Sequence, residues 1–182
     1  MPGLQLPSEV ASVLRDNYTA EVTTVNRQGQ PLTWPALTYF DEANGQIFLT
    51  VSIAFPVKAF NARRHPEVSL LYSDATGSTL DNPPAILLQG TAMVAEVLDL
   101  RIPQMQALAK LAGERQPDSR RFSSNRIARR LFAWYLFQRI GITVTPRRLL
   151  VWPGRDFGQT PTEILLEQSA PAAQKSEASN VE

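Results

Sequence analysis

The stretch Ile47–Tyr72, IFLTVSIAFPVKAFNARRHPEVSLLY, decides how the rest of the chain is read. Its apolar, β-branched start reads as a strand, and VSLLY at its end reads as another. Between them lie a short crossing with one lysine and a basic helical turn closed by His65-Pro66. Thr50 and Ser52 leave the first strand just before Lys58, Asn61, Arg63 and Arg64 arrive. Hydroxyls, a lysine and arginines at a strand–helix junction can hold a phosphate through charge-assisted hydrogen bonds and unpaired helix N–H groups. The same residues would also serve as a solvated basic turn between two core strands, and chemistry alone leaves both readings open.

Upstream, Ser8 is placed to cap a short helix that carries Val10, Val13 and Leu14 at helical spacing. YTAEVTTV predicts a strand, NRQGQ a turn at Gly29, and PLTWPALTYF a second strand. Pro35 removes a ladder donor there, which suits an edge, a bulge or an interruption beside a ligand. The Asn44-Gly45 turn then returns the chain into Ile47–Val51, so two hairpins make an antiparallel meander.

Downstream, Val68–Tyr72 is the fourth strand, SDATGSTLDNPP a loop, and AILLQGTAMVAEV a long fifth strand with Gly90 at its middle. A glycine there predicts a bulge or a close backbone approach. Ile102, Met105, Leu108 and Leu111 recur at helical spacing and predict an amphipathic helix ending near Gly113. NRIARRLFAWYLFQRIG carries another apolar helical stripe with arginines interleaved. ITVTPRRLLVW is the last strand, broken or bulged at Pro146. The pattern as a whole is mainly β with flanking helices: a barrel domain over residues 1–158, a helical insert over 99–138, and a polar tail over 159–182 expected to be disordered.

The 182 residues suffice for one domain with a real core, and 43% hydrophobic with 19% charged residues is ordinary for a soluble globular chain. Without cysteine there are neither disulfides nor thiolate metal sites. The single histidine, His65, sits before a proline with no nucleophile-elbow sequence, so neither a zinc site nor a Ser-His-acid triad is expected, and no acidic cluster has metal-ligand spacing. No apolar run nears the roughly 20 residues of a membrane span. The opening MPGLQLPSEV lacks a signal-peptide pattern, so a cytoplasmic protein is expected. The net charge of +1 hides an asymmetry, −4 over residues 1–98, +8 over 99–156 and −3 over 157–182. The basic middle could meet an anionic surface. An apolar stripe packed on the barrel, with solvated arginines, is the simpler account, so no nucleic acid or membrane partner is expected.

In order, EVTTVNRQGQP, the proline-bearing second strand, IFLT, KAFNARRHP, VSLLY and LLQGTA resemble the pyridoxamine 5′-phosphate oxidase-like, FMN-binding split-barrel family. The resemblance spans roughly Tyr18 to Val97, with a weaker echo in ITVTPRRLLVW. It implies a six-stranded antiparallel split β-barrel and a homodimer with cofactor sites at the subunit interface. It further implies that the end of the third strand and a lysine opening the next helix hold the flavin phosphate, here Thr50, Val51, Ser52 and Lys58. Backbone of the second strand would lie along the isoalloxazine ring at Pro35, Ala36 and Leu37, and Asn61 takes the place of a polar helix residue facing the cofactor.

The departures bear on the substrate. True pyridoxamine phosphate oxidases carry an arginine at the second-strand segment, a serine-arginine pair before the lysine, and a C-terminal Arg-x-His signature. This chain has Trp34-Pro35-Ala36, Pro56-Val57 and no such signature, which speaks against vitamin B6 oxidation. It is similar instead to the broader relatives, which bind FMN, deazaflavin F420 or occasionally haem. The function expected is that of a flavin-binding oxidoreductase, holding FMN and acting on a small-molecule substrate. The alternatives are an F420-dependent reductase, whose long acidic cofactor tail would suit the arginines from Arg115 to Arg130, and a non-catalytic cofactor-binding protein. No catalytic side chain is identified; Arg63, Arg64 and Tyr72 are the available proton donors. With no GxGxxG fingerprint, a nicotinamide would be a transient partner.

Overall fold

The structure, a computed structural model, describes residues 6–17, 19–76, 78–95, 102–115 and 139–166. In chain order these form helix α1 (Ser8–Asp16), strands β1 (Thr19–Val25), β2 (Pro31–Asp41) and β3 (Gln46–Ser52), and helix α2 (Val57–Arg64). Strands β4 (Glu67–Tyr72) and β5 (Ala85–Val94), helix α3 (Pro103–Arg115), and strands β6 (Arg139–Trp152) and β7 (Thr162–Leu165) follow.

Alternation sets which face of each strand is buried. Ala20, Val22 and Thr24 of β1, Val68, Leu70 and Tyr72 of β4, and Ile86, Leu88 and Ala92 of β5 all point into one core. β3 is buried on both faces, which is why its sequence is a continuous run: Ile47, Leu49 and Val51 join the core, while Phe48 is covered on the other side, where α3 packs against β2 and β3. Pairing is antiparallel throughout and runs β1–β2–β3–β6–β5–β4 and back to β1, closing the six-stranded barrel that the sequence led us to expect.

Between β5 and β6 the register slips. Gln89 stands opposite Arg148 and Gly90 opposite Pro146, so Arg147 has no residue facing it. The extra residue moves the inward set of β6 from Ile142 and Val144 to Leu149 and Val151. Gly90 makes the bulge possible, since a Cβ there would lie 2.4 Å from the Thr145 carbonyl oxygen.

Three local expectations are corrected. Ser8 is the first residue of α1, not its cap; Pro7 holds the cap position, and no side chain bonds the helix start. α3 continues through Gly113 to Arg115. The tail expected to be disordered from residue 159 includes β7, which pairs with Arg148–Val151 of β6. Beyond its pairing with β3 over residues 139–144, β6 has a vacant edge that β7 occupies, with Ile164 packed against the core and Arg148 bonded to Glu163 at 2.7 Å. The apolar stripe read over NRIARRLFAWYLFQ, the middle of the helical insert, lies outside the described residues, as does the chain from 167. Among the described residues no helix is long and apolar enough to cross a membrane.

Candidate functional site

β2 changes partners along its length. Residues 31–37 pair with β1, whereas 38–41 pair with β3. β3 in turn runs on past Leu49, with Thr50, Val51 and Ser52 paired to Gly141, Ile140 and Arg139 of β6, respectively. Beyond the Thr38–Leu49 pair, β2 and β3 therefore diverge, and among the described residues no strand covers that edge of β2 over 31–37. This divergence is the split in the barrel.

Lys58, in the first turn of α2, reaches across it. Its Nζ donates to the Pro35 carbonyl oxygen at 3.2 Å. A strand residue directs its N and O to the same edge, so the N–H that proline lacks would have pointed into the split and not into the β1 ladder. Pro35 thus costs the sheet no hydrogen bond. Ala36 and Leu37, half-buried, continue along the same stretch of β2.

On the far wall, the buried Ser52 ends β3. Its Oγ accepts from Ala54 N at 3.2 Å and its carbonyl oxygen accepts from Phe55 N at 3.0 Å, which closes the turn toward α2. Thr50 is also buried and is gripped by Arg139, whose Nε donates to Thr50 Oγ1 at 2.7 Å and whose Nη2 donates to the Thr50 carbonyl oxygen at 3.3 Å. Burial pushes the Lys58 ammonium below the ordinary lysine range, and the positive charge of Arg139 lowers it further.

The hydrogen bonds thus tie Lys58 to Pro35 and Arg139 to Thr50, while Ser52 closes the turn between β3 and α2. Val51 faces the other way, into the core, and offers only packing. Asn61, expected to face the cofactor, is bonded to β1. It lies on the face of α2 that carries Ala59 and Ala62, is 4% exposed, and donates from Nδ2 to Thr24 Oγ1 at 3.1 Å. A helix laid on a barrel must bury one face, and a buried amide has to be paired there. Of the proton donors considered, Tyr72 is fully buried, with its hydroxyl on Thr38 Oγ1 at 3.2 Å and its acidity suppressed by burial; Arg63 donates to the Ala95 carbonyl oxygen at 2.9 Å. Both hold structural bonds.

Arg139 had not been singled out. Only the β3–β6 register, which sets it opposite Ser52, makes it a neighbour of Thr50; its sole sequence signal is that it is the last basic residue before the closing strand. Next to the cleft, Ile53, Phe55, Val57 and Phe60 expose apolar surface, Phe55 by 70%. A groove of about 430 Å³ on the outer face at the β5–β6 bulge, lined partly by Gln89, Gly90, Arg147 and Arg148, includes none of the predicted residues.

No protein-family model matches the sequence, and neither does any curated protein. Solved structures match its shape. The general stress protein 26 of Bacillus anthracis aligns with a TM-score of 0.52 at 14% identity, covering 87% of this chain and 96% of that one. HutZ, the heme storage protein of Vibrio cholerae, aligns with a TM-score of 0.52 at 19% identity, covering 82% and 96%. A Listeria innocua protein provisionally named a pyridoxamine 5′-phosphate oxidase aligns with a TM-score of 0.50 at 12% identity, covering 79% and 94%. At such identities the likeness is one of fold: the chain shares the split-barrel fold of these structures.

Proposed function

We propose that the protein binds FMN by its phosphate at the split and works as a flavin-dependent oxidoreductase on a small molecule. The observation that carries this is the 3.2 Å bond by which Lys58 reaches Pro35, since it ties the first turn of α2, just past the end of β3, to the open edge of β2. The donor set suits a phosphate. Lys58 supplies a charge, Ser52 a hydroxyl, and Thr50 a hydroxyl that keeps its own proton while accepting from Arg139. Leu37, whose backbone points to the same edge as that of Pro35, offers hydrogen bonds to the heteroatoms of an isoalloxazine, whereas the N–H and carbonyl of Ala36 point into the β1 ladder and Ala36 would line the ring by packing. Val51 packs behind the site, and Asn61 fixes α2 to β1 instead of contacting the ligand. A bound flavin supplies the redox chemistry; the chain supplies orientation and electrostatics. A phosphate anion beside Lys58 would favour the protonated amine, offsetting the burial that disfavours it.

The exposed apolar side chains of Ile53, Phe55, Val57 and Phe60 suit a homodimer that covers the cleft's rim. A haem, as the name of the Vibrio cholerae neighbour suggests, would want an axial ligand such as histidine. The one histidine, His65, stands beyond the other end of α2, about 10 Å along the helix axis from Lys58. F420 remains the alternative at the same phosphate site, but the side chains from Arg115 to Arg130 that would favour it lie outside the described residues.

The test is a visible spectrum of the purified protein and a fluorescence titration with FMN. Flavin absorbance, or saturable quenching of added FMN, is expected, and colour that bleaches with a small-molecule reductant identifies an oxidoreductase rather than a carrier. A colourless protein that leaves FMN fluorescence unchanged sinks the proposal. Light scattering should give twice the chain mass.

A further inference from the structure

We propose that the groove on the outer face at the β5–β6 bulge is a second binding site, built for a small zwitterion of the amino-acid or short-peptide class. It does not rest on the flavin reading. Register makes its base. Thr23 stands opposite Ser69, Ser69 opposite Gln89, and Gln89 opposite Arg148, and directly paired residues share a face, so four strands set one polar row side by side. The bulge then adds a side chain that strict alternation would send the other way. Residues 147 and 148 are consecutive, yet both line the groove of about 430 Å³, because Arg147 is the extra residue with nothing opposite it.

The two arginines differ in what they meet. Arg148 is satisfied within the chain: its Nε donates to Glu163 Oε1 at 2.7 Å and its Nη1 to Gln89 Oε1 at 3.2 Å. The second bond turns the Gln89 oxygen toward β6. Among the described residues, neither the NH₂ group of Gln89 nor the hydroxyl of Ser69 has a hydrogen-bond partner. The exposed Arg147 side chain has no acceptor or counter-ion there either. Across β5, on β4, the exposed Glu67 is equally unpartnered. Two opposite charges thus flank one groove, two strand spacings apart or roughly 10 Å across the sheet, and no ion pair joins them.

This arrangement selects its ligand by charge. A simple anion drawn to Arg147 is opposed by Glu67, a simple cation drawn to Glu67 is opposed by Arg147, and a neutral molecule engages neither charge. A molecule with both a carboxylate and an ammonium group meets both walls. Its carboxylate takes the Arg147 guanidinium, with the Gln89 NH₂ and the Ser69 hydroxyl as neutral donors, and its ammonium faces Glu67. The groove's volume lies at the lower end of the range for ligand pockets, which restricts the occupant to a small molecule.

The experiment follows backbone amide shifts by NMR while the protein is titrated with L-alanine and glycylglycine as zwitterions, and with acetate and methylammonium as their singly charged halves. At least one zwitterion should saturate with a Kd of about 1 mM or tighter. It should move the amides of residues 67–69, 89–91 and 147–148, and bind about tenfold more tightly than either half. Arg147→Gln and Glu67→Gln should each weaken it about 3–10-fold, with unchanged thermal melts and unchanged FMN binding. Neither zwitterion saturating, acetate or methylammonium binding as well as the zwitterions, shifts confined to another face, or variants that keep wild-type affinity would each overturn the assignment.

Discussion

Two strands of this barrel carry a proline, and the two sites have opposite outcomes. Pro146 sits in β6, buried, opposite Gly90, where an extra residue is absorbed by a bulge and the β5–β6 ladder resumes on both sides. Pro35 sits in β2, exposed, opposite Glu21 of β1, and among the described residues no strand closes its other edge. One irregularity is sealed with apolar packing and a glycine that admits backbone against backbone. The other is left open and lined with a lysine, hydroxyls and an arginine from three different elements. Closure stabilises the fold; incomplete closure supplies unpaired backbone and room for charge, which is what a ligand site needs.

Perturbing each side separately should break or sharpen this contrast. The largest effect belongs to the closed side. Leu88, fully buried in β5, should cost about 2–5 kcal/mol of stability as Leu88→Ala in urea unfolding; a change below about 1 kcal/mol would mean that the core lies elsewhere. On the open side, Lys58→Ala should weaken FMN binding by about 1.5–3 kcal/mol without lowering the melting temperature, and an unchanged affinity removes Lys58 from the site. Gly90→Ala, whose methyl meets the Thr145 carbonyl, should destabilise by about 1–3 kcal/mol and leave FMN affinity intact. If it altered binding as strongly as stability, the two sides would not be separable.

Smaller effects probe the junction. Tyr72→Phe removes the buried bond to Thr38, the residue at which β2 changes partner, and should cost about 0.5–1.5 kcal/mol by chemical denaturation. The pH dependence is subtler still. Because Lys58 is depressed in the folded protein, the unfolded chain binds more protons between that lowered value and the ordinary one, so the unliganded protein gains stability as pH rises through the window. FMN affinity runs the other way: it is full while Lys58 is protonated and falls with rising pH below the usual lysine range. Titrations at stepped pH with Lys58→Arg as control, which should stay flat, check the sign.

Much of the fold was legible because alternation is a local property. Ala20, Val22 and Thr24, or Val68, Leu70 and Tyr72, declare an inward face without knowledge of their partners. Gly90 and the Asn44-Gly45 turn, with Gly45 at φ +64°, announce their backbone needs in the same local way. What the sequence hid was relational. Pro35 and Pro146 look equivalent until one knows which edge has a neighbour. Arg139 stands alone between Gln138 and Ile140, with no basic neighbour nearer than Arg130 and Arg147, and only the ladder that pairs it with Ser52 sets it beside Thr50. Asn61 looked outward beside Lys58, yet a helix laid on a barrel turns one face in, and Asn61 is on that face. β7 was missed because four residues in a polar stretch form a strand only where β6 has an edge to offer.

Pro35 has a consequence beyond ligand binding. A barrel ordinarily protects itself from sticking to other copies by having no edges, and here, among the described residues, no strand covers the edge of β2 over residues 31–37. Proline at its centre interrupts the row of donors that a foreign strand would have to read, and Lys58 already engages the carbonyl beside it. The same residue thus makes the edge a poor template for strand-by-strand aggregation. A cleft of this kind can be kept open in a crowded solution without recruiting the next chain.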